Sequence, residues 1–250
     1  MSATLGEGGD LERLTGRKKI ERLKIPLGWD TQGIGRRFFF FPALKDEELK
    51  EFTLSLIEKA GRSLVLVPDD AKAKEFRSLV KERLEFQTFD AHEIETSKDP
   101  FIESSQAVAI ISNRYDGIDF PGDECRLLIA QGLPRATNLQ ERFFMTRMSA
   151  SALLSDRILT RIVQAVGRCT RSPNDYSAIV ISGEELLNYL MSKERRQFLH
   201  PELQSELYYG IEQSKASPEE LLENFELFMK HGDEWAEAEE DIIANRSDML

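Results

Sequence analysis

An α/β fold, with a parallel sheet sandwiched by helices, is what this sequence predicts. Three observations carry that expectation. Short runs of consecutive apolar residues read as strands buried on both faces, because a half-exposed strand would alternate apolar with polar. Amphipathic helical segments alternate with those runs through residues 36–182, the pattern of a sheet built from crossover units. After Gly183 the strands stop and only helical periods follow, so a helical extension is expected over 183–250.

The elements follow in order. Residues 1–35 are glycine-rich and basic by turns, without a sustained period, and read as a connector. Arg37–Phe41 reads as a strand stopped by Pro42. Asp46–Ala60 reads as a helix with Leu49, Phe52, Leu56 and Ile57 on one face and Gly61 as its stop. Ser63–Val67 is a strand ended by Pro68. Ala71–Leu84 is a helix with Ala73, Phe76, Leu79 and Val80 inward, and Phe86–Phe89 a short strand. Ala107–Ile111, Leu127–Ala130 and Ala178–Ile181 complete the strands. Glu184–Arg195, Glu202–Gln213 and Pro218–Lys230 read as helices. The last has the start signal of Ser217 as cap, Pro218 in the first turn and Glu220 three residues after the cap.

Composition narrows the function. Apolar residues make up 41% of the 250, enough for a core. No apolar run is long enough to span a bilayer, and the residues around Gly6 to Asp10 do not match a signal peptide. Two cysteines, Cys125 and Cys169, are too few for a disulfide framework, which points to a reducing cytoplasm. His92, His200 and His231 share no ligand spacing, so no metal site is expected. The net charge of −11 argues against a protein that coats DNA through a general basic field, though not against local phosphate contacts. Much of the acid lies between Asp233 and Asp248, read as a solvated helical face or a frayed tail.

Two segments carry candidate chemistry. On a helical wheel of Leu159 to Arg171, Leu159, Ile162, Val163, Val166 and Cys169 fall on one side and Gln164, Arg168 and Arg171 on the other. Pro173 places Arg171 at the helix end. Gly167 costs about 1 kcal/mol against alanine within a helix and so suggests a close neighbour. Two permanently charged guanidiniums aimed at one point suit a triphosphate. A surface helix with two solvated arginines suits the same wheel.

The second segment runs from Ser112 to Asp123, after the strand Ala107–Ile111 and so in a loop where doubly covered parallel sheets place their working residues. The same rule points just past Val67, Ala130 and Ile181. Gly117 and Gly122 permit positive φ, Pro121 fixes a turn, and Asp116, Asp119 and Asp123 cluster around them. Such a carboxylate can accept from a ribose hydroxyl or pair with an arginine, while the loop amides and Arg114 can meet a nucleic-acid phosphate. A turn-rich connector explains the loop equally well.

Taken together, Gln164-x-x-Gly167-Arg168-x-x-Arg171 with Asp175-Tyr176, and Asp116 to Gly122 followed by Arg126 to Ile129 and Gly132-Leu133-Pro134, resemble motifs VI and V of superfamily 2 DNA helicases, in the XPD/DinG-like branch. Ser63–Pro68 is similar to motif IV, and Ser2-Ala3-Thr4 to motif III. Cys169-Thr170 departs from the bulkier apolar residues usual in that slot.

The resemblance implies a second RecA-like domain over 36–182, preceded by a motif III remnant and interdomain connector over 1–35. Arg168 and Arg171 would be arginine fingers, and Gln164 would orient the γ-phosphate or its water. Gly117, Asp119 and Gly167 would belong to the nucleotide side of the site, with Gly117 and Asp119 coupling it to the strand. Arg114 would contact phosphate. ATP and Mg²⁺ would be held mainly by an N-terminal RecA-like domain, because no G-x-x-x-x-G-K-[ST] loop or acidic box occurs in this chain. Single-stranded DNA is the implied substrate partner, and the chain alone is expected to be inactive. The alternatives are an RNA or nuclease-fused superfamily 2 motor, and a non-catalytic RecA-like module that binds a partner.

Overall fold

A computed structural model describes residues 12, 15–18, 20–21, 35–112, 117–132, 160–197 and 199–249. Its centre is a six-stranded sheet formed by β1 (Arg36–Phe40), β2 (Arg62–Val67), β3 (Gln87–Phe89), β4 (Ala107–Ser112), β5 (Leu127–Ala130) and β6 (Tyr176–Ile181). The strand order is β1-β6-β5-β2-β4-β3, and every pairing is parallel. Ser2 to Thr4, most of the connector, Arg114, Asp116 and the segment 133–159 lie outside the described residues.

The apolar runs form strands because each has a covered face to offer on both sides. Phe38, Phe40, Val65, Val67, Val108, Ile110, Leu127, Ile129 and Val180 pack on one side. There they meet α1 (Asp46–Ala60) and α2 (Asp70–Arg83) through Phe52, Leu56, Ile57, Phe76 and Val80. Phe39, Leu64, Leu66, Ala109, Ile111, Leu128, Ala130, Ile179 and Ile181 face the other way. Adjacent phenylalanines thus serve opposite layers, and each fully buried ring contributes about 1.5–3 kcal/mol.

Two short helices were not expected. These are α3 (Ala91–Thr96), started by a reciprocal capping box of Asp90 and Glu93, and α4 (Asp99–Glu103). They deliver Ile94 and Phe101 to the second layer. That layer also receives the part of α5 described over 160–166, through Ile162, Ala165 and Val166.

The region after Gly183 packs directly on the sheet. The single helix expected over Glu184–Arg195 is two, α6 (Glu184–Met191) and α7 (Lys193–Arg196), because Ser192 is extended (ψ 118). Next, α8 (Pro201–Gln213) runs alongside β1. Gly210 there lies so close that a Cβ would stand 2.4 Å from the Phe39 carbonyl oxygen. α9 (Pro218–Lys230) has the expected capping box and buries Leu221, Phe225 and Phe228 in the first layer. The acidic run forms α10 (Asp233–Met249), which buries Trp235 and Ile242 there and leaves Glu234, Glu237, Glu240 and Asp241 in solvent. Among the described residues no helix is long and apolar enough to cross a membrane.

Candidate functional site

The loop that leaves β4 must travel back along the whole strand before β5 can start parallel to its neighbours. Its described part, from Gly117 on, crosses the second layer, held by buried Ile118 and Phe120. Gly117 sits at φ 91, a backbone state that L side chains rarely adopt, so its role is conformational. Among the described residues, a Cβ there would meet nothing within 4 Å. The Phe120 amide donates to the Arg168 carbonyl at 2.9 Å, which joins this loop to the end of α5. The side chains join as well: Asp119 and Arg171 form an ion pair, both nearly half exposed.

The helical wheel does not hold as far as Arg171. The helix ends at 166, and residues 167–169 form a turn. Arg168 and Arg171 therefore do not share a face: Arg168 is 1% exposed, whereas the Arg171 side chain is 44% exposed. Gln164 is half-buried. The close neighbour expected at Gly167 is its own preceding turn. Among the described residues, a Cβ would find the carbonyls of Val163 and Gln164 at 3.4 and 3.8 Å.

Beyond the turn, Asp175 holds the backbone out of helix: its carboxylate accepts from the amides of Arg171 (2.7 Å) and Ser172 (2.9 Å). Burial pushes this carboxyl upward, but the Arg171 amide, the Ser172 amide and hydroxyl, and the Arg126 guanidinium outweigh it and hold its pKa below the usual value. The sign follows. A depressed folded pKa gives stability that is present above the unfolded value, about 3.9, and lost as pH falls through the folded one. Asp175→Ala is expected to lose about 1–3 kcal/mol at neutral pH. Its urea midpoint is expected to fall less steeply than the wild type's below pH about 4, and equal steepness would refute the assignment.

Residues that sequence reasoning left without a role complete the site. Lys98, which precedes α4, donates to the Asp119 carbonyl (3.1 Å) and to Glu124 (2.7 Å). Arg126 donates to the Tyr176 carbonyl (3.1 Å), with its guanidinium 3.6 Å from the centre of the Tyr176 ring. His231 stacks on Tyr176 at 4.1 Å. Cys125 and Cys169 are both buried, and the neighbouring Cys125 thiol, then burial, pushes the Cys169 thiol well up. Only Asp175 had a local signal, the turn-forming Ser172-Pro173-Asn174 before it.

The positions just past Ile111, where working residues are expected, lie largely outside the described residues, at 113–116. The Asp175 carbonyl accepts from Arg36 at the start of β1, and the Glu124 carbonyl from Arg62 at the start of β2. The Asp119–Arg171 pair therefore lies toward the edge where the strands begin. An exposed guanidinium thus stands beside a carboxylate-bearing loop, chemistry that fits half of a nucleotide site. The described residues do not include a phosphate loop.

Residues 53–202 match the family described as the helicase C-terminal domain. The ATP-dependent DNA helicase CHL1 of Candida glabrata is 26% identical over 162 residues, covering 54% of this chain and 19% of that protein. The chain thus spans about a fifth of that relative's length. Among solved structures, S. cerevisiae Dbp5 bound to RNA and ADP BeF3 superposes with a TM-score of 0.53 at 16% identity, over 79% of this chain and 47% of that one. S. tokodaii Xpd4 is similar with a TM-score of 0.45 at 17% identity, over 64% of this chain and 38% of that one. The likeness to Dbp5 shows the RecA-like fold, and the match over 53–202 takes in both arginine and aspartate motifs. This chain belongs to the helicase C-terminal domain family.

Proposed function

We propose that the chain is the C-terminal motor half of an ATP-dependent helicase that acts on single-stranded DNA in the cytoplasm. One observation carries this reading: the loop after β4 and the end of α5 meet through the Phe120–Arg168 main-chain bond and the Asp119–Arg171 pair. The name of the CHL1 relative, a DNA helicase dependent on ATP, supports the nucleotide and the strand. ATP with Mg²⁺ would be held mainly by an N-terminal RecA-like domain and would supply the phosphoanhydride bond that is hydrolysed. Arg171 is the cation presented to that nucleotide. Arg168, buried behind it, is the second finger, brought forward only when the motor halves close. Gln164 orients the γ-phosphate or its water from the last helical turn.

Gly167 keeps the turn after α5 free of a side chain on the nucleotide side of the site. Gly117 and Asp119 convert a change at Arg171 into movement of the loop that leaves β4, where Arg114 contacts a strand phosphate. Arginine stabilises developing phosphoryl charge because its planar fork stays ionised and requires no reorganisation.

The isolated chain is expected to show no strand-stimulated ATP hydrolysis. Joined to a first motor domain that bears a phosphate loop, it is expected to hydrolyse ATP when a single-stranded oligonucleotide is added. Phosphate release measured for both proteins decides. Turnover by the isolated chain, or none by the joined protein, would sink the reading.

A further inference from the structure

The one-turn helix α7 holds Lys193, Arg195 and Arg196 within four residues. In a chain of net charge −11 that is a local reversal of sign. Its cations are not neutralised from within: among the described residues none of the three forms an ion pair. Glu194, the carboxylate in the same turn, accepts from the Ser192 hydroxyl at 2.7 Å. Glu202, a few residues on, is taken up by Arg36 and Arg246.

The arginines are also restrained. The guanidinium of Arg195 lies over the Tyr189 ring at 4.3 Å, which fixes a side chain that would otherwise be mobile. Arg196 has a buried Nη1 without a hydrogen-bond partner. Burial alone, with no carboxylate to offset it, pushes its pKa down. A buried donor left without an acceptor is costly, more so when it carries charge. Lys193 and Arg195 are exposed, so a phosphate oxygen can reach both without rearrangement. Tyr189 and Leu199, on either side of the turn, belong to the same apolar layer as Ile162 and Val166 of α5, so the cluster lies on the sheet face that carries the arginine motif.

We propose that Lys193, Arg195 and Arg196 form a backbone-phosphate contact for single-stranded nucleic acid, separate from the motif loops. The proposal rests on the reading of this chain as a nucleic-acid motor half. Strand backbone is favoured because arginine forks match phosphate geometry and because an isolated basic patch on an acidic surface focuses a polyanion there.

The test is anisotropy of a fluorescent oligothymidylate titrated with the 250-residue chain at about 50 and 200 mM salt, the range over which phosphate contacts lose affinity. The triple variant Lys193→Ala/Arg195→Ala/Arg196→Ala is expected to bind at least about tenfold more weakly at the lower salt. Its slope of log affinity against log salt should be shallower by about two, the value for three single-strand contacts. Lys193→Glu/Arg195→Glu leaves the partly buried Arg196 in place, so it guards against misfolding, and it is expected to weaken binding in the same direction. Equal affinity and slope for wild type and the double-glutamate variant overturns the site. So does a wild-type chain that fails to bind the oligonucleotide at 50 mM salt. Neither result touches the ATP-turnover test of the joined protein, which separates failure of this site from failure of the helicase reading.

Discussion

Arg171→Ala, in a protein that joins this chain to a first motor domain, is expected to lower strand-stimulated ATP turnover by about 10³-fold or more, the range known for arginine fingers. Nucleotide binding should be largely retained, because the phosphate loop lies in the other domain. Stability should hardly change. The only ion pair of Arg171 among the described residues is with Asp119, both side chains are nearly half exposed, and such pairs contribute about 0–1 kcal/mol. Arg168→Ala makes the contrast. It should also abolish turnover, but it removes a side chain that is 1% exposed and among the largest fully buried ones. A lower melting temperature should therefore accompany the lost activity. Steady-state turnover beside nucleotide affinity and thermal melting separates the two substitutions. Unchanged turnover in Arg171→Ala refutes its role as a finger.

Glu206→Ala is expected to cost about 3–5 kcal/mol of folding stability, the typical penalty for stripping one partner from a buried ion pair. Glu206 is 0% exposed. Its two oxygens accept from the Arg37 amide (3.0 Å), Arg37 Nε (2.7 Å) and Arg36 Nη1 (3.3 Å). Arg36 also reaches Glu202 at 2.7 Å and Glu239 at 3.0 Å, so β1, α8 and α10 share one charged cluster. Burial raises the Glu206 carboxyl pKa despite Arg37 and Arg36, a sign that desolvation is severe there. Glu206→Gln keeps the shape and an acceptor for the Arg37 amide, and should cost less than alanine. Urea unfolding of the three proteins tests the order. A loss below about 1 kcal/mol for Glu206→Ala would mean that water already reaches the guanidiniums.

Elements with a signal at both ends were legible. Asp46–Ala60 ends at Gly61, and Pro218–Lys230 starts from Ser217, Pro218 and Glu220; both match the structure residue for residue. Helix α3 was missed: its six residues are too few to show a period, although Asp90 and Glu93 form a capping box at its start. The charged pair at the start of β1 gave no warning, since nothing local says that Arg36 and Arg37 will meet carboxylates from α8 and α10. At the candidate site the motifs were legible and their geometry was not. The wheel assumed helix to Arg171. The Asp175 carboxylate and the Phe120 amide instead hold the backbone after α5, and neither bond has a counterpart in periodicity. Lys98 was invisible for the same reason: its partners Asp119 and Glu124 come from across a crossover.

The helix beside β1 has a consequence beyond packing. An outermost strand offers unpaired amides and carbonyls as a template for a strand from another molecule. Here the outward amides of Arg37 and Phe41 are already taken by Glu206 and by the Ser214 hydroxyl at 2.8 Å, and Gly210 presses against the Phe39 carbonyl. This side of the sheet is therefore closed to polymerisation even though it is built from consecutive phenylalanines. At the opposite side β3 has only three residues, Gln87–Phe89, beginning with an exposed glutamine. The same glutamate that confines two arginines thus also protects the sheet against self-association. Loss of Glu206 should show itself as aggregation on partial unfolding as well as a lower midpoint.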